Sequence, residues 1–370
     1  MHIVQTLPEL RQGGVERGTV ELNRELVKRG HRSTVISAGG ALASRIEEDG
    51  GQHILLDVCA KNPLTAPFRV HRLRNVLREL RPHILHARSR VPAWLCHFAN
   101  KGLRIPFVTT VHGFNSVNRY SAIMTRGERV ICVSNPIEEF IRRHYHTPAD
   151  KISVIHRGVD PDEFNPNTLD QNWIRAFRQK HRLTGRYIVT AVGRITELKD
   201  YETFIRAIAG CAEEIPTLVG IIVGSARKDK RGYFERLQGL VCELDMKPRI
   251  LFVGSQRHMA EIYASSDLLV SCSRKPESFG RTLIEAMAMN TPVIATRHGG
   301  ALDIIEEGID GELFAPGNVR ELREKIITAS NRITPDLRAR TLRRFSLRQM
   351  VDKTIHVYRT LIDEREIGLS

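Results

Sequence analysis

Two glutamates eight residues apart are the side chains of this chain best placed to do chemistry together. Glu277 follows a predicted strand, and Glu285 lies about one turn into the predicted helix that comes next. Phe279 and Gly280 stand between them, and a glycine lets backbone amides approach a ligand closely. Because a carboxylate is a good acceptor for paired hydroxyls, the two acids can recognise different parts of one extended, hydroxyl-rich ligand.

Two cations and a glycine turn also follow predicted strand ends. Arg194 and Lys199 lie in a loop before a predicted helix that starts near Asp200, where two positive side chains can neutralise a diphosphate. Gly13 and Gly14 occupy the turn between the first strand and the first helix, where amides and the helix dipole suit a phosphate. The turn lacks a full GxGxxG pattern, so a dinucleotide site is poorly supported.

Alternating strands and helices must position these residues. Apolar, strand-like runs cover residues 2–7, 34–37, 84–85, 107–111, 130–133, 187–192, 218–223, 250–253, 268–271 and 293–295. Helical segments between the runs predict parallel sheets that are covered on both faces and bind ligands at the carboxyl ends of their strands. The polar stretch 165–185 interrupts the alternation and is predicted to be a linker.

The chain is therefore predicted to be an α/β protein with two doubly wound, Rossmann-like parallel-sheet domains that face a central cleft. We expect an N-terminal domain over residues 1–165 and a C-terminal domain over residues 166–345. A final helix over residues 346–370 is expected to cross back to the N-terminal domain.

Together, these motifs resemble family 4 glycosyltransferases of the GT-B fold over nearly the whole chain. The Glu277/Glu285 pair is the specific part of the resemblance. The weaker matches are Gly13-Gly14-Val15, His112-Gly113, Val133-Ser134, Gly158-Val159-Asp160 with Phe164, Gly193-Arg194 with Lys199, Gly299-Gly300, and Gly311 to Gly317. The resemblance implies a retaining hexosyltransferase in which residues 1–165 form the acceptor-side domain and residues 166–345 form the nucleotide-sugar-binding domain. Its co-substrate would be a nucleotide-sugar, a UDP-sugar rather than a GDP-sugar, with no cofactor and no metal.

The resemblance also implies a role for each site residue. Catalysis is expected from His112, Glu277, Arg194 and Lys199, and donor binding from Gly13, Gly14, Arg194, Lys199, Glu277, Phe279, Gly280, Thr282, Leu283 and Glu285. Arg194 and Lys199 would hold the diphosphate, Glu285 would accept from the ribose, and Glu277 would bind the donor sugar. His112 would contact the transferred sugar, and no protein base is expected, because the leaving phosphate helps to deprotonate the incoming hydroxyl.

The chain departs from the family pattern at three positions. Arg157 stands where asparagine is usual, Arg281 replaces an apolar residue, and Asp303 replaces a glutamate. The first two add positive charge near the predicted site. None of the three removes an expected phosphate or ribose ligand, so they bear on donor preference more than on the class of reaction.

The charge of the chain predicts an anionic partner. The net charge is +14, and residues 61–129 contribute +11 of it, with thirteen Lys and Arg against two acids. A basic amphipathic helix over residues 69–81 carries Arg72, Arg74 and Arg78 opposite its apolar stripe, so it is the candidate contact with an anionic membrane or an acceptor. With the resemblance, this implies a lipopolysaccharide-core or lipid-linked glycan acceptor at the cytoplasmic face of the membrane.

Two other classes of function stay open on the sequence. A sugar-nucleotide epimerase or a phosphorylase could use the same architecture, and donor turnover with and without an acceptor separates these from a transferase. The positive charge also suits a nucleic-acid-binding protein that is not an enzyme. The chain shows no DNA- or RNA-binding motif and its aromatic content is only 6%, so no nucleic-acid partner is expected.

Overall fold

The structure, a computed structural model, describes residues 1–11, 13–331 and 336–367. It divides the chain into two compact units, one made of Met1–Arg157 and Leu347–Ser370 and the other of Gly158–Ser346. The first break therefore follows Arg157, eight residues before the position predicted from the sequence. The last three residues of the predicted C-terminal segment, 368–370, lie outside the described residues.

The first unit is built on a parallel sheet of seven strands in the order β3-β2-β1-β4-β5-β6-β7. The strands are β1 (His2–Thr6), β2 (Arg32–Ser37), β3 (Gln52–Leu55), β4 (Ile84–Ala87), β5 (Phe107–Val111), β6 (Arg129–Cys132) and β7 (Ile152–Val154). The helices are α1 (Gly14–Lys28), α2 (Ala43–Glu48), α3 (Ala66–Leu80), α4 (Arg90–Ala99) and α5 (Asn135–Tyr145). Strands β1, β4 and β5 are buried along their whole length, as expected for the central strands of a parallel sheet that is covered on both faces.

The second unit holds a parallel sheet of six strands in the order β10-β9-β8-β11-β12-β13. The strands are β8 (Tyr187–Val192), β9 (Leu218–Val223), β10 (Ile250–Gly254), β11 (Leu268–Ser271), β12 (Val293–Thr296) and β13 (Glu312–Phe314). The helices are α6 (Gln171–Lys180), α7 (Tyr201–Gly210), α8 (Arg231–Glu243), α9 (Met259–Ala264), α10 (Arg281–Ala288), α11 (Ala301–Ile304), α12 (Val319–Ser330) and α13 (Leu337–Phe345). Two Rossmann-like parallel-sheet units confirm the predicted fold class.

The last helix, α14 (Leu347–Ile367), belongs to the first unit. Its buried Met350, Val351 and Tyr358 pack with strand and α1 side chains in one apolar cluster. The Tyr358 hydroxyl lies 2.7 Å from Nδ1 of the buried His86, which ties the helix to β4. Within the described part of the chain, no helix combines the length and the apolar character that crossing a bilayer requires.

Edge strands account for most of the differences between predicted and observed strands. The predicted runs 107–111, 187–192, 218–223 and 268–271 match β5, β8, β9 and β11 residue for residue. Strands β3, β7 and β13 were not predicted, and each lies at an edge of its sheet and is only three or four residues long. Residues of β3 and β7 are half-buried or exposed, so they lack the apolar run that marks a central strand.

The linker predicted over residues 165–185 is wrong. Residues Gln171–Lys180 form helix α6, whose start is capped by Asp170 accepting from two backbone amides. The rings of Trp173 and Phe177 stack 4.9 Å apart and pack against β8 and β9 side chains. Two aromatic residues four positions apart thus attach one face of this otherwise mostly polar helix to the sheet.

Candidate active site

The loop after β8 carries the two predicted cations, and the side chain of one of them, Lys199, folds back over the end of the strand. Gly193 has φ of +151°, and a Cβ there would lie 2.8 Å from Cε of Lys199. A glycine at this position therefore lets the Lys199 stem cross the backbone. The Tyr201 hydroxyl donates to the Gly193 carbonyl at 2.8 Å and holds the loop to the start of α7. Arg194, by contrast, is exposed to solvent.

Lys199 and Glu277 form an ion pair in which Nζ lies 2.5 Å from Oε1. The Ser273 hydroxyl also donates to Oε1, and the Ser271 hydroxyl lies 3.5 Å away. Burial by itself would raise the pKa of Glu277, but the Lys199 charge, the hydrogen bonds from Lys199 and Ser273, and nearby His298 together hold that pKa below its ordinary value of 4.5. Glu277 is therefore an anion at neutral pH and an acceptor for hydroxyl groups.

The Gly299-Gly300 pair after β12 packs directly against the backbone around Glu277. A Cβ on Gly299 would lie 2.4 Å from the Glu277 carbonyl oxygen, and one on Gly300 would lie 2.2 Å from Cα of Phe279. The Gly300 amide donates to the Glu277 carbonyl at 2.8 Å. The two glycines thus hold the Glu277 loop against β12, and a side chain at either position would displace it.

Gly280 starts α10 at the position predicted for close approach to a ligand. Its φ is +111°, a conformation that glycine adopts readily. The first amides of a helix have no acceptor within the helix, so those near Arg281 and Thr282 are donors for a ligand. The Leu283 amide already donates to the Gly280 carbonyl at 3.0 Å, so a phosphate at that amide would share or replace this bond.

Glu285, the second acid of the pair, is only 4% exposed and has protein partners. The Tyr263 hydroxyl donates to its Oε2 at 3.0 Å, and Nε of Arg281 lies 3.5 Å from Oε1. Arg281 is one of the three departures from the family pattern, and here it neutralises the buried carboxylate one turn away. Glu285 and Glu277 are thus both paired with a cation, but the Glu285 side chain is buried, whereas the Glu277 side chain is partly exposed.

Three polar residues of this site were not predicted. Both ring nitrogens of His298 are buried without a hydrogen-bond partner among the described residues. Arg274 Nη2 pairs at 3.0 Å with Asp200, whose carboxyl group is fully buried at the start of α7. Their positions in the sequence could have indicated these residues as part of the site. His298 comes just after the predicted strand 293–295, and Arg274 comes just after the predicted strand 268–271.

The second unit thus places an anion, two cations and a helix start at the carboxyl ends of neighbouring strands. Such a set can receive phosphate oxygens at Lys199, Arg194 and the α10 amides, and hydroxyl groups at Glu277. Across residues 1–11, 13–331 and 336–367, no three His, Cys, Asp or Glu side chains are grouped to hold a metal ion.

His112 follows β5 in the first unit, as predicted, and its neighbour is Arg157. Arg157 Nη2 donates to His112 Nδ1. Because arginine has no acceptor, Nδ1 must be unprotonated and the ring proton must sit on Nε2. Burial, Arg157 and Arg88 hold the pKa of His112 well below its ordinary value of 6.5. His112 is therefore a neutral donor through Nε2.

The glycine turn Gly13-Gly14 opens α1, with Gly13 at the cap position. The Glu16 carboxylate folds back on this turn, since a Cβ on Gly13 would lie 2.3 Å from Glu16 Oε2. An acidic side chain at the third helical position favours the positive end of the helix dipole. A phosphate at this turn would therefore compete with Glu16, and its binding there stays a prediction.

The three predicted arginines of α3 differ in their surroundings. Arg72 and Arg78 are exposed. Arg74 instead donates to the carbonyls of Ala99 and Phe98, at 3.1 and 2.8 Å, where α4 ends. Arg74 thus caps a neighbouring helix within its own unit and is not part of an open basic face.

Two family models match the chain, one after the other. Residues 12–163 match Glycosyltransferase Family 4, and residues 174–341 match Glycosyl transferases group 1. The first match falls on the first unit except for its last six residues, 158–163, and the second match lies within the second unit.

Known proteins resemble the chain over most of its length. A glycosyltransferase from Rickettsia africae ESF-5 shares 30% identity, a TM-score of 0.90 and 98% coverage of both chains. Anabaena Alr3699/HepE, crystallised with UDP and glucose, has 22% identity and a TM-score of 0.86 over 97% of this chain and 100% of its own. The N-acetyl-alpha-D-glucosaminyl L-malate synthase of Bacillus anthracis is 25% identical over 83% of this chain and 82% of its own. With two parallel-sheet units, two family models and a 30% identical relative, the chain belongs to the family 4-type glycosyltransferases of the GT-B fold.

Proposed function

We propose that this glycosyltransferase moves a hexose from a nucleoside-diphosphate sugar to a hydroxyl of a lipopolysaccharide-core or lipid-linked glycan, with retention at the anomeric carbon. The observation that carries the proposal is the Lys199–Glu277 pair, with 2.5 Å between Nζ and Oε1. A cation for phosphate and an anion for hydroxyls lie side by side, as a diphosphate joined to a sugar requires. UDP is proposed rather than GDP, and the UDP found in the Anabaena structure supports this choice.

The donor is proposed to bind along the start of α10. Arg194 and Lys199 hold the diphosphate, helped by the amides of Phe279, Gly280, Thr282 and Leu283. Glu277 accepts from hydroxyls of the donor sugar. Glu285 accepts from the ribose, and its ion pair with Arg281 loosens as the ribose hydroxyls replace the guanidinium.

Stabilisation of the leaving group is proposed to dominate the chemistry. The bond between the anomeric carbon and the β-phosphate oxygen breaks, and the new bond to the acceptor oxygen forms on the same face of the sugar. The acceptor proton passes to the departing phosphate. Lys199 and Arg194 meet the charge that builds on this phosphate, which is the largest contribution such a site can make.

A nucleotide screen tests the donor site. UDP should raise the melting temperature of the wild-type chain more than GDP or ADP, with about 2.7 kcal/mol of stabilisation at 100 times Kd. Lys199→Met should lose most of this effect, whereas Lys275→Met, at an exposed position four residues beyond β11, should keep it. Equal stabilisation of the wild type and Lys199→Met by UDP would argue against the site.

Transfer is also proposed to need no metal, because Lys199, Arg194 and the start of α10 would neutralise the charge of the diphosphate. EDTA should therefore leave initial rates unchanged, with a Mg²⁺-dependent transferase inhibited in parallel as the control. Loss of activity that Mg²⁺ or Mn²⁺ restores would contradict this part of the proposal.

The membrane contact is proposed to lie at the start of α3 rather than along the whole basic helix. Leu64 and Phe68 are 87% and 64% exposed there, and the Arg72 guanidinium lies over the Phe68 ring at 5.7 Å. Exposed apolar side chains beside cations are typical of a surface that enters the headgroup region of an anionic bilayer. The enzyme would then be peripheral at the cytoplasmic face, where lipid-linked acceptors are presented.

Vesicle binding tests this surface. Phe68→Ser and Arg72→Glu together should abolish sedimentation with anionic phosphatidylglycerol vesicles and leave UDP binding unchanged. Arg231→Glu is the matched control, because Arg231 is also highly exposed but belongs to the second unit. Unaltered sedimentation of the double variant would refute the contact.

A further inference from the structure

A cavity of about 370 Å³ lies in the first unit between the end of α1 and helix α14. Arg29 caps the carboxyl end of α1, and His31 directly precedes β2. The cavity therefore adjoins the amino end of β2, whereas the predicted site residue His112 follows the carboxyl end of β5. Its volume falls within the range of about 300–1,000 Å³ that is typical of small-molecule sites.

One face of α14 forms a side of this cavity. Asp352, Ile355, His356 and Arg359 line it, and their spacing of three and four residues places them on the same side of the helix. Ile355 is only 6% exposed and belongs to the apolar cluster that holds α14 to the sheet. The lining thus combines a packed apolar side chain with polar groups that can meet a charged ligand.

Arg29 supplies positive charge from the α1 side of the cavity. Its Nη1 lies 2.7 Å from a carboxylate oxygen of Glu25, and its Nη2 lies 3.2 Å from one of Asp352. Each acid also has a second cation, since Lys28 Nζ lies 3.5 Å from Glu25 and Arg348 Nε lies 3.7 Å from Asp352. The three cations therefore outnumber the two carboxylates that they share.

Arg359 adds a cation that has no partner of its own. Its side chain is exposed and makes no hydrogen bond or ion pair with any residue that the structure describes. Burial, followed by nearby positive charges that include Arg359 and Arg29, lowers the pKa of His31 below its ordinary value of 6.5. His31 is therefore neutral at neutral pH, and a neutral imidazole still donates one N–H.

We propose that this cavity binds a phosphate group through the guanidinium groups of Arg359 and Arg29, with His31 and His356 as further hydrogen-bond donors. A guanidinium matches a phosphate because its planar fork can donate two parallel hydrogen bonds to two oxygens. The inference goes beyond the proposed function, because none of these four residues is among those proposed to bind the donor or the acceptor.

A phosphate at this place would join two elements that are remote in the chain. Arg29 ends the first helix of the unit and Arg359 lies on the last, so a shared ligand would fasten α14 to α1 and stabilise the folded chain by linkage. A soluble phosphate ester and a phospholipid headgroup present the same group, and the experiment has to distinguish these two sources.

Calorimetric titration of the full chain with methyl phosphate, at neutral pH and with saturating UDP in the proposed donor site, tests the proposal. One methyl phosphate should bind per chain, and Arg359→Met should weaken this binding at least about tenfold, as expected for the loss of a charge-assisted hydrogen bond. Arg143→Met is the matched control, because Arg143 is an exposed arginine on α5 of the same unit. It should bind like the wild type. A repeat with Lys199→Met and no nucleotide makes the result independent of UDP binding.

Asp352→Asn should change the affinity in the opposite direction. It removes the one carboxylate among the described residues of the lining, so methyl phosphate should bind about threefold more tightly, as expected for the loss of one exposed charge interaction. A variant that only destabilised the chain would not gain affinity, and weaker binding by a folded Asp352→Asn chain would contradict the proposal.

A short-chain lipid identifies the source of the phosphate. Dihexanoyl phosphatidic acid below its micelle concentration should also bind, and Arg359→Met should weaken this binding. An affinity at least about tenfold above that of methyl phosphate would assign the site to a phospholipid headgroup, because acyl groups add apolar contact. Equal affinities would assign it to a soluble phosphate ester.

Three results would overturn the proposal. The first is that the wild type binds neither methyl phosphate nor the short-chain lipid. The second is that Arg359→Met binds both with wild-type affinity. The third is that UDP displaces methyl phosphate at one-to-one stoichiometry, which would place the phosphate in the donor site.

Discussion

The two units handle buried charge in opposite ways. In the second unit each acid of the site has a cation beside it, as in the pairs Lys199–Glu277 and Arg281–Glu285. In the first unit Arg88 is buried beside a neutral glutamine. A site whose ion pairs compensate each other's charge is stable without a ligand. A ligand binds to such a site by replacing one member of an ion pair. A buried cation whose hydrogen-bond partner is neutral has less to offset the desolvation of its charge.

The largest expected effect comes from replacing Glu277, the carboxylate of the Lys199–Glu277 ion pair. Glu277→Gln keeps the size of the side chain but cannot hold the Lys199 ammonium or accept as strongly from sugar hydroxyls. We expect kcat/KM to fall about 100-fold or more, equivalent to about 2.7 kcal/mol, with UDP affinity nearly unchanged. Steady-state kinetics and UDP titration measure both, and Glu197→Gln, in the loop that carries Lys199, is the control. Full activity of Glu277→Gln would remove the residue from the mechanism.

Arg281→Leu breaks the second pair and should act on stability. The change leaves the buried Glu285 without the guanidinium at 3.5 Å, and we expect the free energy of unfolding to fall by about 2 kcal/mol. Urea unfolding followed by circular dichroism measures the loss. Arg320→Leu, which breaks the exposed pair of Arg320 with Glu324, should cost less than about 0.5 kcal/mol. Equal costs in the two variants would mean that burial of the Arg281 pair has no consequence.

Glu285→Ala tests whether the buried Glu285 carboxylate also binds the nucleotide. Loss of a hydrogen-bond acceptor for the ribose should weaken UDP binding about tenfold, or about 1.4 kcal/mol. The readout is the dissociation constant of UDP, with uracil as a second ligand that lacks the ribose. If UDP binds the variant as tightly as the wild type, the ribose contact is elsewhere.

The smallest effect is a pH dependence of stability. Because the pKa of Glu277 is lower in the folded chain than its ordinary value of 4.5, its pairing stabilises the fold above that pH and is lost as the pH falls through the folded value. Between pH 6 and pH 3, the wild type should therefore lose more stability than Glu277→Gln, by about 1 kcal/mol or less. Thermal unfolding of both chains across this range measures the difference, and parallel curves would contradict it.

Much of the second-unit site was predictable because its parts follow strand ends. Arg194, Lys199 and Glu277 each come soon after a run of buried apolar residues, and parallel strands bring their carboxyl ends together. The apolar runs identified the central strands β5, β8, β9 and β11. The same reasoning missed β3, β7 and β13, because an edge strand needs only one neighbour and can be short and half-exposed.

The sequence by itself determined the fold class, the family and the positions of the two acids and their neighbouring cations, since local periodicity and motif spacing carry this information. Only the tertiary structure decided that Arg281 pairs with Glu285, that Arg74 caps α4, and that Arg157 sets the tautomer of His112. The tertiary structure also places the buried Arg88 within hydrogen-bond distance of Gln5, which is 83 residues away in the chain. These outcomes depend on how elements remote in sequence pack together, and no local pattern records whether a charged side chain will be buried or which partner it will find.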